Sequence, residues 1–129
     1  MKLKIAFAAV ASMALTVPAF ADGDVAAGRT AYTQCRPCHQ VGPDAQNSVG
    51  PTLNGIYGRK AGEVPNYNYS DANKNSGITW DAATLKVYLK DPKAKVPGTK
   101  MAFPGLPNDK DEDNVIAYLA SFGPDGKTK

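Results

Sequence analysis

The chain has 129 residues, with 15 basic and 12 acidic side chains for a net charge of +3, and 43% of its residues are hydrophobic. It holds two cysteines, one histidine and three methionines. That scarcity excludes a zinc site built from several histidines and an iron–sulfur cluster held by four thiolates. It also leaves any Cys-His or Ser-His-Asp hydrolase dependent on His39 alone.

Residues 1–21 read as a secretory leader. Lys2 and Lys4 precede an apolar run from Ile5 to Val17, and Pro18-Ala19-Phe20-Ala21 closes with small residues two apart. The run falls short of the ~20 residues that a membrane span needs, so cleavage is expected after Ala21. Residues 22–129 then form one domain of 108 residues, enough for a single modest core. Without Lys2 and Lys4 the balance is 13 basic against 12 acidic residues, which gives no support to a nucleic-acid surface. Met1 and Met13 belong to the leader, so Met101 is the only methionine of the domain.

Along the domain the pattern is helical. Asp24 is placed to cap a first helix running to about Gln34, with Val25, Gly28 and Tyr32 on one face. From Gln40 to Tyr69 glycine, proline and asparagine recur and no strand pattern persists. A loop of that length in a small domain points to function or to a ligand that organises it. Ser70 and Asp71 start a short helical turn, and Thr79 or Asp81 caps a helix with Leu85, Tyr88 and Leu89 on its apolar side, ended by Asp91-Pro92. Val96 to Asn108 is again loop. Asp109 opens the last helix, with Glu112 as in a capping box and Val115, Ile116, Tyr118, Leu119 and Phe122 as its stripe, stopped by Gly123-Pro124. The expected fold class is all-α, with four to five helices.

Cys35-Arg36-Pro37-Cys38-His39 is a C-x-x-C-H string, the spacing of c-type haem attachment. Two thiols three residues apart on one helical turn can each bond a vinyl group of one porphyrin, and the following imidazole is then placed on the iron. The competing reading is a redox-active or structural disulfide, but that motif belongs beside a strand–helix unit, and this sequence has no such pattern. On the far side of the iron Met101 is the only soft side chain left. It lies in the loop Pro97-Gly98-Thr99-Lys100-Met101-Ala102-Phe103, not on a core stripe. Ligation by His39 and Met101 leaves no open coordination position, favours electron transfer over oxygen or peroxide chemistry, and raises the potential.

With these residues in view, the chain resembles the class I cytochromes c, and most closely the small periplasmic carriers of the c-two type. The likeness runs from Asp22 to Phe122. Besides the haem string it rests on Gly50-Pro51-Thr52-Leu53-Asn54-Gly55-Ile56-Tyr57-Gly58-Arg59-Lys60, Tyr67 to Lys74, Gly77-Ile78-Thr79-Trp80, the Met101 loop, and Val115 to Leu119. The resemblance implies a cytochrome c fold around one covalently bound haem c. It implies that the Pro51 carbonyl accepts the second ring N–H of His39, and that Arg59, Tyr69 and Trp80 satisfy a haem propionate. It further implies that Asn73, Tyr88 and Thr99 form the polar network beside haem and Met101, that Phe103 and the Cys35 side border the exposed haem edge, and that Gly28 and Tyr32 meet Tyr118.

The implied function is a soluble, monomeric, periplasmic one-electron carrier. It would run between a quinol-oxidising cytochrome bc complex and a terminal oxidase or photosynthetic reaction centre, and it would not be an enzyme. Two alternatives remain: a peroxidase-like enzyme, if Met101 leaves the iron, and a dedicated subunit of one partner enzyme. In members with acidic partners a lysine ring surrounds the haem edge. Lys93 and Lys100 match it, Lys95 and Lys60 partly compensate, and Gln34, Gln46, Ser48, Pro107 and Asn108 stand where lysines often occur. Charge steering is therefore expected to be weak. The family also exchanges its methionine for a lysine at high pH, for which Lys95 and Lys100 are the candidates.

Overall fold

The computed structural model describes residues 2–13 and 23–129. The expected cleavage after Ala21 and most of the leader's apolar run fall outside those residues. Residues 2–13 have no regular secondary structure, and Leu3, Phe7 and Met13 are at least nine-tenths exposed. Among the described residues there are five α-helices and one 3₁₀ turn: α1 Val25–Ala31, continued by the 3₁₀ turn Tyr32–Gln34, then α2 Asp71–Lys74, α3 Ala82–Lys90, α4 Pro92–Lys95 and α5 Asp109–Ala120. Strand structure is limited to isolated bridges, Lys60 with Thr79 and Phe122 with Thr128. No helix among these residues is long and apolar enough to cross a membrane.

The helices start where short polar side chains satisfy their first N–H groups. Asp24 accepts from Ala27 N, Ser70 from Asn73 N, and Asp81 from Thr84 N. Asp81, not Thr79, is thus the cap of α3. Three expectations are corrected. Asp91-Pro92 does not simply end α3: the Asp91 carboxylate accepts from Ala94 N and Pro92 sits at the first position of α4, a helix absent from the sequence reading. The cap of α5 is Asn108, one residue earlier than expected, so Glu112 lies one position too far along for a capping box. Val25 is about half exposed and does not share the buried face of Gly28 and Tyr32.

The core lies where α1, α3 and α5 converge, around Tyr32, Leu85, Leu89, Leu106, Val115, Ile116 and Leu119. α1 crosses α5 at closest range through Gly28. A β-carbon there would stand 1.9 Å from the Asn114 carbonyl oxygen and 2.8 Å from the Tyr118 β-carbon. Backbone cannot yield like the tip of a side chain, which accounts for glycine inside a helix despite its ~1 kcal/mol propensity cost. Tyr32 stacks on Tyr118 at 5.3 Å, and Tyr118 meets Phe122 edge-on at 5.1 Å. Gly28→Ala is expected to cost about 3 kcal/mol or more, at or beyond the upper end for overpacking, as read by chemical denaturation.

Between α3 and α5, Lys86 pairs with Asp113 at 2.9 Å and Lys90 with Asp109 at 3.3 Å. Both pairs are solvated and contribute little. Glu112, between those aspartates in the sequence, is fully buried, and neither carboxylate oxygen has a hydrogen-bond partner. Burial, with the Asp109 charge adding to it and Lys90 and Lys86 opposing, holds its pKa above the ordinary carboxyl value. The folded chain therefore keeps this proton to a higher pH than the unfolded chain. The stability that the neutral form contributes is complete below the unfolded pKa and is lost as pH rises through the folded one. Glu112→Gln has no proton to lose. Relative to wild type it should gain stability between pH 4 and 7, as read by denaturation midpoints at both pH values.

Candidate functional site

The site begins at the end of the 3₁₀ turn. Cys35 N donates to Tyr32 O at 2.8 Å, and Cys38 N and His39 N both return to Cys35 O, at 3.1 and 2.9 Å. This tight turn places both thiols and the imidazole on one short stretch. Both cysteines are free thiols, half-buried. Burial, and secondarily Cys38, pushes the Cys35 thiol up to about 11.

His39 is held by the chain that follows. Its Nδ1 lies 2.8 Å from the Pro51 carbonyl oxygen. A carbonyl only accepts, so Nδ1 carries the proton and Nε2 keeps its lone pair. Burial pulls the His39 pKa down, opposed by the Pro51 bond, so the ring is neutral at physiological pH. Gly50 lies against the ring face, where a β-carbon would stand 2.3 Å from Cε1. Tyr32 Oη donates to the His39 carbonyl at 3.1 Å.

Met101 is half-buried in the middle of the loop between α4 and α5, and Tyr88 on α3 reaches it, with Tyr88 Oη donating to Met101 Sδ at 3.3 Å. Met101 N donates to Thr99 Oγ1 at 3.3 Å, and Thr99 also hydrogen-bonds Tyr88. Trp80 packs on Tyr88 with ring centroids 4.7 Å apart. Phe103 is half-buried against the same cluster.

On the far loop, Arg59 donates to the carbonyls of Asn54 and Thr52 at 3.0 and 3.2 Å, and its own carbonyl accepts from Trp80 N at 2.9 Å. Tyr69 Oη accepts from Val64 N at 3.1 Å, which leaves its own O–H free to donate. Burial raises the Tyr69 pKa, while the Val64 bond and the Arg59 charge lower it. Asn73 Oδ1 is buried without a hydrogen-bond partner.

These residues fit the haem that the C-x-x-C-H spacing calls for. Asn73 Oδ1 is an orphaned buried acceptor. Arg59 is a partly buried cation bonded only to carbonyls, and among the described residues no carboxylate lies within ion-pair distance of it. Two thiols, an imidazole and a thioether supply a donor set that suits the group.

The structure joins Tyr88 and Thr99 to Met101, as the resemblance implied, and seats His39 on Pro51; Trp80, expected with Arg59 and Tyr69, packs its ring on Tyr88, and Asn73 bonds neither Tyr88 nor Thr99 through its Oδ1. Arg59 and Tyr69 are close enough to couple electrostatically, although neither bonds the other. Lys60, Lys93, Lys95 and Lys100 are exposed. Lys100 donates to the Asn68 carbonyl and sits 4.5 Å above the Tyr67 ring. Gly50, Asn47 and Asn54 were not singled out by sequence. Asn47 bonds Pro65 O and Thr52 N, and Asn54 bonds both backbone groups of Gly42. Gly50 and Asn54 lie in the segment that carries the resemblance but were given no role, and Asn47 has only the turn chemistry of Asn as a signal.

The cytochrome c family model matches residues 25–123. The chain is 61% identical over 106 residues to cytochrome c2 of Rhodoplanes tepidamans, covering 82% of this chain and 99% of that protein. Among solved structures it is similar to cytochrome cH from Methylobacterium extorquens, with a TM-score of 0.72 and 55% identity over 76% of this chain and 98% of that one. Cytochrome c2 from Rhodospirillum centenum gives a TM-score of 0.75 at 38% identity, over 79% and 100% of the two chains. A family match across nearly the whole helical domain, with relatives of this identity, shows that the chain belongs to the cytochrome c family, that its cofactor is haem c, and that it carries electrons and is not an enzyme.

Proposed function

We propose that this protein is a periplasmic one-electron carrier between a quinol-oxidising cytochrome bc complex and a terminal oxidase or photosynthetic reaction centre. Residues 1–21 are its cleaved leader and 22–129 its functional domain. The exposure of residues 2–13 and the start of α1 only at Val25 support that division.

Haem c, when bound, supplies one redox site that takes up and releases a single electron. Cys35 and Cys38 anchor it through two thioethers. His39 Nε2 and Met101 Sδ would ligate its iron. The Pro51 carbonyl fixes the His39 ring and raises its basicity. Tyr88 and Thr99 fix Met101, and Asn73 completes the polar network beside it. Arg59, Tyr69 and Trp80 neutralise and hydrogen-bond a propionate, which would otherwise cost several kcal/mol as a buried unpaired charge. Because both ligands are held by their own neighbours, little rearrangement accompanies electron transfer. Phe103 borders the exchange edge. Lys93 and Lys100 contact the partner, and with a domain balance of only +1 the docking depends weakly on salt.

The observation that carries this reading is the pair of hydrogen bonds, from His39 to the Pro51 carbonyl and from Tyr88 to Met101 Sδ, that orient the domain's one histidine and one methionine. The test is the optical spectrum of the reduced protein before and after carbon monoxide at neutral pH. An unchanged spectrum is expected. Ready binding would mean that Met101 does not hold the sixth position, and would favour a peroxidase-like or gas-binding site.

A further inference from the structure

The Pro51 carbonyl that meets His39 cannot be registered by its own residue, because proline has no backbone N–H. Its place is set by a ladder between residues 39–42 and 51–54. Beyond the His39–Pro51 bond at 2.8 Å, Leu53 N donates to Gln40 O at 3.1 Å. The ladder ends in a closed ring: Asn54 Nδ2 donates to Gly42 O at 2.8 Å, and Gly42 N donates to Asn54 Oδ1 at 2.9 Å. Here a side-chain amide does the work of a peptide group, presenting its donor and its acceptor on two separate atoms, as a hydroxyl or a carboxylate does not.

The ring is covered from outside by the C-terminal tail. Gly126 is buried, with φ at +77°, and a β-carbon on it would stand 2.1 Å from Gly42 O and 2.7 Å from Asn54 Nδ2. The tail is folded back on itself by Gly123 N to Lys127 O and Gly126 N to Gly123 O, both 2.9 Å, and Lys129 N bonds Ser121 O at 2.9 Å. It is therefore fixed against α5 and presses on the ladder as a unit.

We infer that Asn54, backed by Gly126 of the C-terminal tail, is a positioning residue that sets the strength of the His39–Pro51 hydrogen bond and thereby the electron affinity of the haem iron. This rests on the proposed ligation by His39. The physical link is ligand basicity: a carbonyl held firmly on Nδ1–H makes the imidazole a better donor, which favours ferric iron. When Asn54 is lost, Gly42 turns to water, the ladder is held at one fewer point, and the Pro51 carbonyl drifts from the ring. The potential then moves in the positive direction.

The experiment uses the haem-loaded protein with Asn54→Ala and Gly126→Ala, and with Asp24→Ala as a stability control. Asp24 caps α1, bonds Ala27 and Asn114, and has no bond to the ladder. The readouts are the midpoint potential and the solvent exchange of the His39 Nδ1–H resonance in the reduced protein. Both ladder variants are expected to show a more positive potential and faster ring N–H exchange, and Asp24→Ala to lower only the melting temperature. If Asn54→Ala lowers the melting temperature like the control and moves neither readout, Asn54 is merely structural and the inference fails. If wild-type protein shows no ligated-histidine ring N–H at all, the ligand assignment itself fails, and the inference with it.

Discussion

Met101→Ala is expected to turn a haem that ignores carbon monoxide into one that binds it, and to lower the midpoint potential. Both effects follow from one atom. On the proposed ligation the thioether would hold the sixth position and favour ferrous iron, and alanine would do neither. The fall should be a sizeable part of the ~0.8 V that axial ligands span across haem proteins. Helix content should survive, because Met101 is only half-buried and α3, α4 and α5 do not depend on its sulfur. Tyr88→Phe makes the graded comparison. It removes the 3.3 Å bond to the sulfur but keeps the ring against Trp80, so it should shift the potential less and leave the site closed. A Met101→Ala protein that still rejects carbon monoxide would show that another side chain fills the position.

The second large effect is on folding. With both Cys35 and Cys38 replaced by alanine, the chain should lose most of its helical circular dichroism. α1, α3 and α5 have 7, 9 and 12 residues, at or below the ~12–15 at which an isolated helix becomes marginal in water. They need tertiary packing to persist. One wall of that packing is the segment 40–70, which contains no helix or strand of its own. The side-chain bonds of its Asn47, Asn54, Arg59 and Tyr69 all run within the segment and do not anchor it to the helices. Attachment of haem c then supplies folding energy directly, as metals do in small metal-dependent domains. Native-like circular dichroism in the double variant would overturn this coupling.

The pattern of what was legible in the sequence follows the range of the interactions. Cys35, Cys38 and His39 announce their chemistry because their spacing is local and one turn of chain presents all three. Helices α1, α3 and α5 were legible because apolar periodicity and short polar caps act within a few residues. α4 was not, because its signal is a single turn whose cap, Asp91, is also the end of α3. Glu112 read as half of a capping box because sequence spacing cannot tell Asn108 from Asp109 as the first cap. One residue of shift turns an assigned partner into a buried carboxyl with none.

By itself the sequence determined the cofactor chemistry and the all-helical class, and it singled out Met101 as the candidate ligand, since these rest on residue identity, local spacing and the scarcity of competing ligands. Pro51, Arg59, Tyr69, Asn73, Trp80, Tyr88 and Thr99 were reachable only through resemblance. Pro51, Arg59, Tyr69, Trp80 and Tyr88 meet partners five to thirteen residues away, and Asn73 Oδ1 has no partner in the chain, so no local rule assigns them. Only the tertiary structure decided that Gly28 stands against a carbonyl of α5, that Tyr88 rather than solvent faces Met101 Sδ, and that Asn54 and the C-terminal tail close on the loop behind His39. Such contacts are set by how rigid elements meet in three dimensions, and the pairing of residues 42 and 126 has no counterpart in any pattern along the chain.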